Sequence, residues 1–121
     1  MERAHFERLV AAALDGIPVE FARHLANVAV VIEDEPSPGL LRDLGMDPRR
    51  DALYGLYQGV ALPERPHDFT GLPDRITLYA GPLQRDFPTT KALERQIRDT
   101  VVHEIAHFFG MDEDHIRRLG Y

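Results

Sequence analysis

Two histidines four residues apart bracket a glutamate in His103-Glu104-Ile105-Ala106-His107. On a helix such a pair points the same way, so both imidazoles can reach one metal ion at ~2.0–2.1 Å. Glu104 is turned ~60–100° around the axis from them, too poorly aimed to be a ligand yet near enough to hold a metal-bound water. That set activates water: the metal draws its water's pKa toward ~7 and polarises a carbonyl, while the carboxylate takes a proton and passes it to a leaving amine. Gly110 follows His107 by three residues, and a glycine there lets the chain turn back sharply. Asp112, Glu113, Asp114 and His115 then arrive where a third ligand is needed. A catalytic site wants three protein ligands and one open position, and this stretch can supply them. Random placement of six His and nine Glu in 121 residues gives about 0.02 matches to the five-residue pattern. Two unrelated surface histidines beside an acid are therefore the weaker explanation.

Composition removes most other chemistry. With no cysteine, a thiol nucleophile, a disulfide framework, a thiolate zinc site and an iron–sulfur cluster are all excluded. The single serine, Ser37, is wedged between Pro36 and Pro38. The single lysine, Lys91, has no glycine directly before it, so no Walker-type phosphate loop exists. Fourteen Lys and Arg against 20 Asp and Glu give 14 − 20 = −6, which disfavours a general nucleic-acid binder despite Arg49-Arg50 and Arg117-Arg118. The N-terminus lacks the basic start of a secretory signal. The longest apolar runs, Leu9–Leu14 and Val28–Ile32, fall far short of the ~20 residues that span a bilayer. A cytoplasmic protein without membrane contact is the expectation.

The motif needs a scaffold, and prolines mark its parts. All nine lie between Pro18 and Pro88, which leaves both ends free to be helical. Phe6, Leu9, Val10, Ala13 and Leu14 predict a helix over residues 2–15, and Pro18 opens a second one to about Ala26. Val28–Ile32 reads as a buried strand, 37–45 as a helical element and 45–48 as a turn. Leu53–Leu62 reads as a bent strand and Pro63–Asp74 as a connection. Arg75–Ala80 alternates at period two, with Ile76, Leu78 and Ala80 on one face, and Gly81-Pro82 stops it. Thr89 or Thr90 caps a helix to about Phe109 with Gly110 as its left-handed end. Its stripe of Leu93, Ile97, Val101, Ile105 and Phe108 should pack on the sheet, with the two histidines on another face. A short helix over 113–119 closes the sequence.

The run from His103 through Gly110 is similar to the extended zincin pattern, in which a third ligand follows three residues after the glycine. Tyr54-Gly55-Leu56-Tyr57-Gln58-Gly59, Leu72-Pro73-Asp74-Arg75-Ile76-Thr77-Leu78-Tyr79 with Gly81-Pro82, and Thr100-Val101-Val102 resemble the mini-zincins, small bacterial zinc-dependent metallopeptidases. The resemblance covers most of residues 5–121. It implies an α+β fold: a single minimal zincin-like domain over residues 1–121, with N-terminal helices, a small mixed three- to four-stranded sheet, an active-site helix and a short C-terminal helix. It also implies bound Zn2+, with His103 and His107 as ligands and Glu104 as general base. By position the third ligand is Glu113, with Asp114 and Asp112 as alternatives and His115 least favoured. This departs from the histidine of the metzincin version and the aspartate of the other. No methionine follows Met111, so a downstream methionine turn is lacking too.

By the same resemblance an extended peptide or unfolded-protein substrate would lie along an edge strand, with Arg75–Ala80 or Leu53–Leu62 as the candidate edge. Tyr54, Tyr57, Tyr79, Tyr121 and His115 are candidate oxyanion donors, although each tyrosine alone is better explained by packing. His5, His24 and His67 are expected at the surface. Two other functions compete: a non-catalytic zinc- or peptide-binding module with a vestigial site, and a metal-dependent endoribonuclease. The nuclease family with a similar helix has Gly where Glu104 stands and His where Glu113 stands. With the motif beginning 18 residues before the last residue, the site is expected to be open and shallow, in a monomer or weak oligomer.

Overall fold

The stripe of Phe6, Leu9, Val10 and Ala13 is the buried face of helix α1 (Arg3–Asp15) in the computed structural model of the chain, which describes residues 1–59 and 74–121. The single helix expected over 18–26 is instead two short pieces, α2 (Val19–Ala22) and a 3₁₀ turn (Arg23–Asn27). Pro18 sits at the N-cap, and of α2 only Phe21 is buried, while Val19 is 81% exposed. So few core-facing positions cannot hold a longer helix, and the chain tightens before entering strand β1 (Val28–Glu33). Helix α3 (Pro38–Asp43) follows, and Ser37 is its N-cap, accepting the Leu40 N–H at 3.0 Å. The chain's one serine hydroxyl is thus a helix cap.

Strands β2 (Gly55–Gln58) and β3 (Asp74–Tyr79) complete a three-stranded mixed sheet of order β1-β3-β2. β3 runs parallel to β1, with Val28 beside Asp74 and Glu33 beside Tyr79. It runs antiparallel to β2, with Gly55 beside Leu78 and Gln58 beside Arg75. β3 is the central strand and is also covered on both faces: Ile76 and Leu78 are fully buried, and Thr77 and Tyr79 are 2% and 3% exposed. β3 lies between the other two strands, so the expectation that Arg75–Ala80 could be an edge is wrong, and among the described residues β2 is the edge on this side. The strand expected over 53–62 is four residues long within the described part; residues 60–62 lie outside it, as does the connection expected over Pro63–Asp74 except for Asp74, which opens β3. Gly81-Pro82 falls inside the first turn of helix α4 (Ala80–Asp86), where a missing proline N–H leaves no helical bond unmade.

The long helix α5 (Thr90–Phe108) starts at Thr89, whose hydroxyl accepts the Ala92 N–H at 3.2 Å. Leu93, Ile97, Val101 and Ile105 are buried as the stripe requires, together with Thr100, Val102 and Ala106. α5 packs on α1 and on β2 and β3, so one helix closes the core from both sides. Phe108 is the exception. The stripe runs past the end of the core there, and its ring is 48% exposed. The helix ends on Gly110 at φ +67°, with Gly110 N–H to the His107 carbonyl (3.3 Å) and Met111 N–H to the Ala106 carbonyl (2.8 Å), a Schellman turn. Helix α6 (Glu113–Arg118) then returns, buried through Ile116.

Gly55 sets how near the edge strand comes to α5. A Cβ there would stand 2.7 Å from Thr100 Cγ2 and 3.1 Å from the Thr77 carbonyl oxygen. Gly55→Ala is expected to lose about 1–3 kcal/mol of unfolding free energy in a urea titration, because the Thr77 carbonyl cannot move aside without shifting β3 and the Thr100 methyl must leave its packed position. An unchanged midpoint would contradict this tight approach.

Candidate metal centre

α5 presents His103 and His107 from successive turns, with ring centroids 5.8 Å apart. The left-handed residue Gly110 reverses the chain, and the Asp112 carboxylate then caps α6 by accepting the Asp114 N–H at 3.0 Å. This makes Glu113 the first residue of α6 and brings its Oε1 to 2.7 Å from His107 Nε2. One donor atom each from His103, His107 and Glu113 lie within 4.8 Å of one another. Two imidazole nitrogens and a carboxylate oxygen are a donor set that suits zinc, and they fit the group the sequence suggested.

The other candidates for a third ligand are engaged elsewhere. Asp112 is the α6 cap, Asp114 faces Arg117 at 3.4 Å, and His115 Nε2 lies 2.6 Å from Glu20 Oε2 on α2. The His107 and Glu113 side chains are 57% and 52% exposed, so the group opens to solvent on one side.

Glu104 is turned toward the sheet. Its Oε1 accepts the Tyr57 N–H at 2.9 Å. The bond from Tyr79 N–H to the Tyr54 carbonyl fixes the ladder alternation, in which Tyr57 directs its N–H away from β3, at the outer edge of β2. The close approach allowed at Gly55 is what brings that N–H within reach of α5. A hollow of about 270 Å3 beside Glu104 and His103 is walled by Tyr54 and Gly55 on one side and by Gln96, Asp99 and Thr100 on the other. Gln96 donates to Thr100 Oγ1 at 3.1 Å across one helical turn.

The candidate oxyanion donors are either engaged elsewhere or buried. Tyr54 donates to Asp86 at 2.5 Å, and burial together with that carboxylate pushes its phenol up to about 12. Tyr57 donates to Asp74 at 2.8 Å. Tyr79 is buried at the end of β3, and burial raises its phenol as well. Tyr121 meets Phe21 edge-on, and His115 faces Glu20. His24, expected at the surface, is half-buried and stacked on Phe109 with centroids 4.2 Å apart. Sequence reasoning missed two features. The Tyr57 backbone N–H carries no side-chain signal at all. Phe108 was assigned to the core, although its spacing of four from Glu104 places it beside the motif as well.

A sequence model of the zincin-like metallopeptidase family matches residues 25–121, and the chain belongs to that family. Among solved structures it is similar to a "Conserved hypothetical protein" from Thermo thermophilus, with 26% sequence identity and a TM-score of 0.56 over 90% of this chain and 94% of that one. No curated protein matches it. Among the described residues no helix is long and apolar enough to cross a membrane.

Because the His107–Glu113 contact is solvent-exposed, His107→Ala and Glu113→Ala are each expected to cost less than ~1 kcal/mol in metal-free protein by urea denaturation. A loss of several kcal/mol would mean that the pair holds the fold and not a ligand.

Proposed function

We propose that the protein is a zinc-dependent peptidase in which His103, His107 and Glu113 hold the metal and Glu104 is the general base. The observation that carries this reading is the convergence of three zinc-type donors beside a carboxylate that is not one of them. Zinc, when bound, supplies a Lewis acid that lowers the pKa of water and polarises a carbonyl. The chain's own residues do the rest. The Tyr57 N–H holds Glu104 by one oxygen, which fixes the carboxylate's orientation and leaves the other oxygen to take a proton from the attacking water. That proton is then delivered from Glu104 to the amine of the cleaved bond. The exposure of His107 and Glu113 suits a flexible or unfolded chain. Peptides or unfolded proteins met in the cytoplasm are the expected substrates, taken by a monomer or weak oligomer.

Glu104→Gln should lower kcat on unstructured peptides by about 10²–10⁴-fold while one zinc per chain remains bound. Chelation should abolish turnover and lower the melting temperature of the wild-type protein, since a ligand that binds only the folded state stabilises it. Zinc bound stoichiometrically with no hydrolysis of any peptide would leave a metal-binding module and remove the enzyme. Hydrolysis unchanged in Glu104→Gln would remove the assigned base.

A further inference from the structure

The hollow that ends at His103 and Glu104 offers charge of one sign. Its volume of about 270 Å3 is below the ~300–1,000 Å3 of pockets that enclose a whole small molecule, so it suits a single side chain. Ala52, Leu53 and the Tyr54 ring supply an apolar wall, and α5 supplies the polar one. Asp99 stands on that polar wall one helical turn before His103. Its carboxylate is half-buried, and among the described residues no hydrogen bond or ion pair engages it. Gln96 gives its amide N–H to Thr100 Oγ1, which leaves Gln96 Oε1 as a second acceptor. Glu104 adds the oxygen that the Tyr57 N–H does not hold. Among the described residues no lysine or arginine lines the hollow. Arg98, next to Asp99 in the chain, lies instead against Gly16 at the end of α1.

A carboxylate removed partly from water and given no cation is costly to leave without a partner. A hollow that combines it with further acceptors and an apolar wall is complementary to a cationic head on a methylene stem. We propose that this hollow receives a Lys or Arg side chain of the substrate and that Asp99 is the residue that selects it. This rests on the peptidase reading and names a substrate class for it. The stem lies on Ala52, Leu53 and Tyr54, as such stems cover apolar surface while the charged head keeps its partner. A free α-amine is the other source of an ammonium group in a peptide. It lies two bonds from the carbonyl carbon under attack, whereas Asp99 is four residues, ~6 Å, down the helix from His103. A Lys or Arg side chain covers that span and an α-amine does not. The net charge of −6 draws such basic peptides toward the chain.

Cleavage-site profiling of the zinc-loaded full chain on unstructured peptides, free and N-acetylated, should show Lys and Arg enriched roughly tenfold or more at one position flanking the cut, the worth of one charge-assisted hydrogen bond. Asp99→Asn should flatten that enrichment and Asp99→Glu should retain it. The enrichment should also shrink with rising ionic strength, because the carboxylate is only half-buried. In parallel, fluorescence anisotropy should show zinc-loaded Glu104→Gln binding a labelled Lys-containing peptide roughly tenfold more tightly than its norleucine twin, with the difference removed when Asp99→Asn is added. Cleavage without basic enrichment, or enrichment untouched by Asp99→Asn, overturns the subsite and leaves the peptidase standing. Cleavage that N-acetylation of the peptide abolishes assigns the hollow to the α-amine and overturns the side-chain subsite. Discrimination in binding without any cleavage supports the subsite and overturns the peptidase. Neither cleavage nor discrimination overturns both.

Discussion

The close approach of α5 to the edge strand β2 is the constraint on which the site depends. At Gly55 the absence of a side chain lets Thr100 pack directly against the strand. One turn later on the helix, Glu104 therefore meets the Tyr57 N–H at 2.9 Å. A buried stripe on one side of α5 fixes the helix against α1 and the sheet, and this rigid placement lets the opposite side carry functional groups. The same packing that stabilises the domain thus aims the carboxylate. A strand held even an ångström further out would leave Glu104 without the donor that orients it.

The second constraint is the helix end. Gly110 takes a left-handed conformation that closes a Schellman turn, and the returning chain is capped at once by Asp112. These two local rules leave Glu113, of the four neighbouring candidates, beside His107. The acidic run 112–114 therefore divides by local geometry: one residue caps, one faces the donor group and one pairs with Arg117 on the surface. The arrangement needs few residues because the helix terminus does the positioning that a longer loop would otherwise require.

Much of this was legible from the sequence. The 3.6-residue stripe of α5, its Thr89 cap and Gly110 stop, and the histidine spacing are local signals, and local signals determine helices. The sheet was read less well. Arg75–Ala80 alternates like a half-exposed strand, but it lies between β1 and β2 with residues of both faces buried, and pairing and packing are long-range properties that periodicity does not encode. Phe108 fits the core stripe by angle, yet the core ends before it does, and only the tertiary structure shows where a core stops. The bond from Tyr57 to Glu104 is made by a backbone group, so no residue identity could announce it.

These features combine into one account: a zincin-like domain in which a single helix supplies two histidines and Glu104, a tight turn adds a second carboxylate, and strand β2 holds Glu104 in place. Zinc-edge X-ray absorption spectroscopy on the zinc-loaded protein tests this most directly. The account predicts one zinc per chain with scattering from two imidazoles, one of them lost in His103→Ala, and a carboxylate contribution that disappears in Glu113→Ala. Zinc bound with fewer than two imidazoles, or a spectrum unchanged by Glu113→Ala, would contradict it.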